Sequence, residues 1–386
     1  MGPSSRITAV QTPIVPVVAE LIEANPGTIS LGQGVVSYPP PPQAMEAVSH
    51  FAADHTNHRY KHVQGIAPLT DALADKLATE NKIDLAGRDI VVTAGSNMGF
   101  LNAVLAIANP QDEILLLSPY YFNQEMAISI AGCRTVIVPT DEGYHPNLER
   151  IDRAITPRTR AVVTISPNNP TGAVYSKSAL LAINALCAER GVFHISDEAY
   201  EYFTFDGASH FSPAASGSSR DHTISLFSLS KAFGFASWRI GYMVIPSGLS
   251  ESVKKIQDTN VICPPVVSQF AAVGALEAGY DYCRPHLQRL SGIRALVLES
   301  LASIGDLVQT PRAEGAFYFL TKVMGDLSSM ELVENLIRTH KVAVIPGSAF
   351  GVEDQCCIRI AYGALDKETV ADGMGRLTQG LRDLVG

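Results

Sequence analysis

Short apolar runs, rich in β-branched residues and bounded by turn formers, occur at 89–93, 113–117, 135–138, 161–165, 192–195 and 223–226. Between them lie longer stretches whose apolar positions follow a helical spacing. Runs that short and that uniformly apolar predict buried strands of a largely parallel sheet, with helices as the crossovers. The expected fold class is α/β, a mostly parallel central sheet flanked by helices. After about residue 265 the pattern changes. Helical periods at 266–278 and 287–303 give way to apolar runs at 315–320, 342–346 and 357–360, which predict a second, smaller α+β unit.

A chain of 386 residues with 46% hydrophobic residues can bury a large core, enough for roughly two or three domains. Its net charge of −9 comes without a block of like charge, which argues against nucleic acid or an anionic membrane surface as partner. No apolar run is long enough to span a bilayer, and Arg6 stands where an N-myristoylation signal needs Ser or Thr. The six cysteines include the vicinal pair Cys356 and Cys357 but no C-x-x-C spacing, so reduced thiols in a soluble, untargeted, cytoplasmic protein are expected. His55, His58 and His62 lack an acidic companion at metal-ligand spacing, and no metal site is expected.

Candidate chemistry follows the strands. Four of the apolar runs lead directly into Gly95-Ser96-Asn97, Pro119-Tyr120-Tyr121, Asn168-Asn169-Pro170 and Asp197. Ligands of open α/β sheets bind beyond the carboxyl ends of the strands, so these sequence-distant residues should meet at one rim. Gly95-Ser96-Asn97 precedes an apolar helical run, where free amides can face an anion. Asp197 at a strand end needs a cationic partner to stay ionised when buried, although Asp in Ser196-Asp197-Glu198-Ala199-Tyr200 also reads as a helix N-cap. Lys231 lies in Ser228-Leu229-Ser230-Lys231-Ala232-Phe233-Gly234, followed by Trp238-Arg239-Ile240-Gly241. Small, hydroxylated and apolar neighbours let a lysine lose its proton and attack a carbonyl, and hydroxyls with an arginine can hold an anionic tail. Taken alone, such a lysine also reads as merely solvated. Arg359, a charge between Ile358 and Ile360, reads alternatively as the solvent face of a strand.

These motifs, in this order and spread from Ser30 to Arg359, resemble the class I/II aminotransferases of fold type I, which depend on pyridoxal 5'-phosphate (PLP). The resemblance implies amino-group transfer between an L-amino acid and a 2-oxo acid in two half-reactions. Lys231 would be the Schiff-base lysine and the proton-transfer base. Asp197 would pair with the pyridine nitrogen, Tyr200 and Asn169 would bond the phenolic oxygen, and Tyr121 would stack on the ring. Gly95, Ser96, Asn97, Ser228 and Arg239 would hold the phosphate, joined by Tyr60 from a neighbouring subunit, so that a homodimer with shared active sites is implied. Arg359 would grip the substrate α-carboxylate, with Asn169 and the Gly34 backbone beside it. The resemblance also divides the chain into a large PLP-binding domain, 43–265, and a discontinuous small domain, 1–42 with 266–386.

Two departures bear on the substrate side chain. The family often reads G-x-P-D-F where this chain has Gly34-Val35-Val36-Ser37-Tyr38, and the second arginine of aspartate-specific relatives has no clear counterpart. Other fold type I chemistries share the same residues: β-lyases, decarboxylases and cyclopropane-forming synthases. From different classes, Ser228-Leu229-Ser230-Lys231 satisfies the S-x-x-K pattern of acyl-serine hydrolases, but no S-D-N or K-T-G element follows. A non-catalytic effector-binding module would not need every catalytic position retained.

Overall fold

The computed structural model describes residues 2–386; Met1, the first residue of the expected small-domain segment 1–42, lies outside them. The strands in chain order are β1 (Ile29–Ser30), β2 (Arg88–Thr93), β3 (Glu113–Ser118), β4 (Arg134–Pro139), β5 (Thr159–Ile165), β6 (Phe193–Asp197), β7 (Thr223–Ser228) and β8 (Gly241–Pro246), then β9 (Val308–Gln309), β10 (Tyr318–Val323), β11 (Val342–Ala343), β12 (Ile345–Pro346) and β13 (Cys357–Ala361).

Strands β2 to β8 form one seven-stranded sheet in the order β2-β8-β7-β6-β5-β3-β4. Only β8 runs against its neighbours, antiparallel to both β2 and β7. The other six strands therefore point the same way, and their carboxyl ends share one edge. Strands β3, β5, β6 and β7 are buried almost throughout, which is why they read as continuous apolar runs rather than alternating ones. Helices cover both faces. The helix Ser96–Ile107 packs Phe100, Val104 and Ile107 against Val91, Leu226 and Met243 on one side. On the other, Lys177–Arg190 packs Leu180, Ile183 and Cys187 against Leu115 and Val162.

A second sheet, β12-β13-β10-β9, is antiparallel throughout. Separately, β1 pairs in parallel with β11, placing Ile29 beside Val342 and so bringing the N-terminal segment onto the C-terminal part of the chain. The single apolar run at 342–346 thus feeds two different sheets. The helical periods beginning at 266 form one element, Val266–Ala302, broken where Gly279 adopts φ 60°, ψ −163°. The second helical arm starts several residues before the expected 287.

Candidate active site

A cavity of about 200 Å³ opens at the carboxyl edge of the large sheet and is closed from the other side by the smaller one. Its walls contain Gly34, Ser96, Asn97, Tyr121, Asn169, Asp197, Tyr200, Ser228, Lys231, Arg239 and Arg359. Of the residues singled out in the sequence, Gly95 lies immediately behind this wall, and Tyr60 stands apart.

The anion-facing corner is built by backbone geometry. Gly95 has φ +82°, and a Cβ there would fall onto the Arg239 guanidinium; only glycine lets the arginine lie flat against this turn. The helix Ser96–Ile107 starts without a side-chain cap, leaving its first amides free for an anion. Arg239 itself has φ 54°, a left-handed conformation uncommon for a non-glycine residue, and Nη1 donates to Ala236 O at 2.9 Å. Ser228 Oγ accepts from Ser230 N at 3.1 Å, starting the one-turn helix Leu229–Ala232 that carries Lys231.

Lys231 Nζ donates to Gly34 O at 2.5 Å. Burial, and then the positive charges of Arg359 and Arg239, lower its pKa from 10.5 to about 8, against the opposing pull of Asp197. A fraction of the amine is therefore neutral, and nucleophilic, near neutral pH. Ser228 and Lys231 are thus engaged with other partners, and no serine–lysine pair forms. Asp197 shows the complementary perturbation. Burial raises it from 3.8 to about 6, although Oδ1 accepts from Ala199 N at 3.2 Å and Oδ2 from Gln124 Nε2 at 2.8 Å. No helix begins at Asp197, so its bond to Ala199 closes a turn rather than capping a helix.

Arg359 is 3% exposed, which removes the solvent-face alternative. Its Nη1 donates to Asn169 Oδ1 at 3.0 Å and Nη2 to Gly32 O at 2.6 Å, while the buried Nε has no partner. Tyr121 is covered by burial that pushes its hydroxyl pKa up, and it accepts from Asn123 Nδ2 at 2.7 Å. Tyr200 Oη lies 2.7 Å from Tyr318 Oη. Tyr60 is 77% exposed and touches no part of the cavity.

Sequence reasoning missed Gln124, Tyr318, Val15 and Phe122. Gln124 sits at the third position of the helix Phe122–Ile130 and Tyr318 starts β10; neither lies in a local motif that announces chemistry, and both reach the site through tertiary packing. Among the described residues no cluster suited to a metal ion occurs, and no helix is long and apolar enough to cross a membrane.

The donor set fits a specific kind of ligand. It joins an anion pocket, a nucleophilic amine, a carboxylate awaiting a cation and an arginine fork with capacity to spare. Residues 26–377 match the family model for aminotransferase class I and II. The chain belongs to this family. This class I and II aminotransferase is 31% identical to an aromatic aminotransferase of Arabidopsis thaliana, over 99% of its own length and 97% of that protein. It is 32% identical to the aspartate/prephenate aminotransferase of Thermus thermophilus, covering 93% and 92% of the two chains. The solved structure of a Thermus thermophilus aspartate aminotransferase with maleate superposes with TM-score 0.90 at 31% identity, covering 98% of this chain and 100% of that one. As a member of the family it is a PLP-dependent transaminase of α/β, aspartate aminotransferase-like fold, acting on amino acids and 2-oxo acids.

Proposed function

We propose that the cavity is where PLP is held and the amino group exchanged, with Lys231 as covalent anchor and proton carrier. The observation that carries this reading is the convergence of a depressed lysine, a perturbed aspartate and a buried arginine on one cavity. Bound there, PLP supplies an electron-accepting ring that lets an α-proton leave. Ser96 and Asn97 amides, Ser228 and Arg239 hold its phosphate; Arg239 brings charge-assisted bonds. Asp197 keeps the ring nitrogen protonated, Tyr200 and Asn169 reach the phenolic oxygen, and Tyr121 covers the ring. Arg359 takes the substrate α-carboxylate on its fork, beside the Gly34 backbone. Lys231 Nζ, freed from Gly34 O, removes and returns the α-proton. Residues 43–265 form the PLP-binding domain, and 1–42 with 266–386 the small one, a division supported by the pairing of β1 with β11.

The substrate side chain is neutral, apolar or aromatic. The cations lining the cavity are Lys231, Arg239 and Arg359, all engaged by this reading, while Val15 and Phe122 add apolar wall. A second carboxylate would be desolvated without a counter-charge. The test is binding of two unreactive analogues, 3-phenylpropionate and maleate, to the PLP-loaded enzyme and to Arg359→Lys. Wild type should prefer 3-phenylpropionate by roughly tenfold or more. Arg359→Lys keeps the charge but not the fork and should weaken both by at least about tenfold. Tighter binding of maleate would overturn the side-chain assignment; unchanged binding by Arg359→Lys would overturn the clamp.

The enzyme works as a cytoplasmic homodimer in this reading. Six free cysteines support a reducing compartment. The exposed Tyr60 supports delivery across an interface, where Tyr60 of the partner subunit completes the phosphate site. Tyr60→Ala damages the neighbour's site and Lys231→Ala its own, so mixed subunits should form heterodimers with one intact site. Activity should reappear on mixing under exchange conditions. Verified heterodimers that stay inactive would remove Tyr60 from any shared site.

A further inference from the structure

Tyr318 is fully buried at the start of β10, and three contacts fix it between the two sides of the cavity. Its hydroxyl lies 2.7 Å from the Tyr200 hydroxyl, with the rings edge to face at 79°. Its ring lies under the Arg359 guanidinium, 4.6 Å from Cζ to the centroid. Strand pairing sets Tyr318 opposite Ala361 and Leu320 opposite Arg359, so the two side chains are diagonal neighbours across β10 and β13. At Gly34 a Cβ would stand 2.5 Å from the Tyr318 hydroxyl, so the residue that accepts from Lys231 must be glycine for the tyrosine to fit.

We propose that Tyr318 is a positioning residue with two separable actions: its hydroxyl donates to Tyr200, turning the Tyr200 proton into the cavity, and its ring is the platform that holds Arg359 in the plane of a substrate carboxylate. This rests on the reading that Tyr200 and Arg359 face the cofactor and the substrate. Two neutral hydroxyls share one hydrogen bond, so one of them keeps its proton for another acceptor. The direction follows from that reading: the one proton of Tyr200 goes to the phenolic oxygen, so in the 2.7 Å hydroxyl pair Tyr200 accepts and Tyr318 donates. Burial raises both hydroxyl pKa values, so each keeps its proton near neutral pH. Accepting the Tyr318 bond polarises Tyr200 toward giving its own proton. The face of an aromatic ring attracts the guanidinium and leaves its edge, with the N–H fork, free to meet a carboxylate.

Two substitutions separate the actions. Tyr318→Phe keeps the ring and removes the hydroxyl; Tyr318→Leu removes both. The readouts are the pH titration of the visible absorbance of the lysine-bound cofactor and the Kd of 3-phenylpropionate. Weaker donation by Tyr200 to a phenolic oxyanion favours the protonated chromophore, so Tyr318→Phe should move the transition to higher pH by roughly 0.5–1, with analogue affinity within about twofold of wild type. Tyr318→Leu should show that shift and also bind the analogue roughly 3- to 30-fold more weakly. An unmoved titration in Tyr318→Phe overturns the donor action, and it decides the matter even where the Leu variant unfolds. A weakened analogue affinity in Tyr318→Phe overturns the separation of ring from hydroxyl, and a folded Tyr318→Leu with wild-type affinity overturns the platform. Absence of a lysine-bound chromophore in the wild type would instead sink the reading of Lys231, so the two failures are distinguishable.

Discussion

Lys231→Ala should yield a folded protein that still takes up PLP and scarcely exchanges an amino group. The substitution removes one hydrogen bond, Nζ to Gly34 O, from a one-turn helix in which alanine is well tolerated. Ser96, Asn97, Ser228 and Arg239 still line the cavity and, in the proposed reading, still hold the phosphate. Lost are the nucleophile and the proton carrier together. Losing a positioned proton-transfer group costs roughly 10²–10⁴-fold by itself, and loss of covalent attachment adds to it. The amine suits both tasks because burial and the two arginines bring it to about 8, where loss and gain of a proton are nearly balanced. Single-turnover mixing of the loaded variant with amino acid measures the loss. Borohydride reduction of the wild type, followed by peptide mapping, should place the pyridoxyl group on Lys231; a label on any other lysine overturns the assignment.

The parts of the site that the sequence exposed are those built locally. Gly95-Ser96-Asn97, the turn around Asn169 and Lys231 each follow a strand within a few residues and Asp197 ends one, and parallel topology does the rest: six co-directional carboxyl ends leave these motifs nowhere to go but one edge. Strand ends were less legible. The run at 192–195 extends to Asp197 and that at 223–226 to Ser228, because polar residues at a strand's end carry ladder bonds without apolar character. Strand β8 is not among the strands the pattern predicts, though 241–246 is apolar. Its place between β2 and β7 depends on partners that local pattern does not name. For the same reason no local pattern marks Tyr318 or Gln124. Their functional surroundings are made by β10 meeting the loop after β6 and by a helix meeting a strand end, contacts spanning 118 and 73 residues of sequence. Tyr60 is the converse case: only the resemblance implies a role for it, since its chain neighbours offer no chemistry and it lies exposed, away from the cavity.

Asp197→Asn should trade activity for stability. The buried carboxyl is raised from 3.8 to about 6, so in the empty protein its ionised form costs free energy on folding. The penalty is absent below the ordinary carboxyl range, where both states are protonated. It grows as pH rises from about 4 to 6 and then levels off at about 3 kcal/mol. An amide carries no such penalty, and the pocket can accept it. Gln124 now donates to Oδ2 while its own Oε1 is buried without a partner, so turning the Gln124 amide presents an acceptor to the new Asn Nδ2. The Ala199 amide keeps its bond to the remaining oxygen. Cofactor-free Asp197→Asn should therefore resist urea better than the wild type at pH 7, by a margin that shrinks at pH 5. In the loaded enzyme the effect reverses. A neutral amide cannot hold the ring nitrogen protonated as a carboxylate does, so exchange of the α-proton of a bound amino acid in deuterated water should fall by roughly 10²-fold or more. Near-normal exchange would deny Asp197 that role, and a stability gain that did not change with pH would show that its charge is not what the empty site pays to bury.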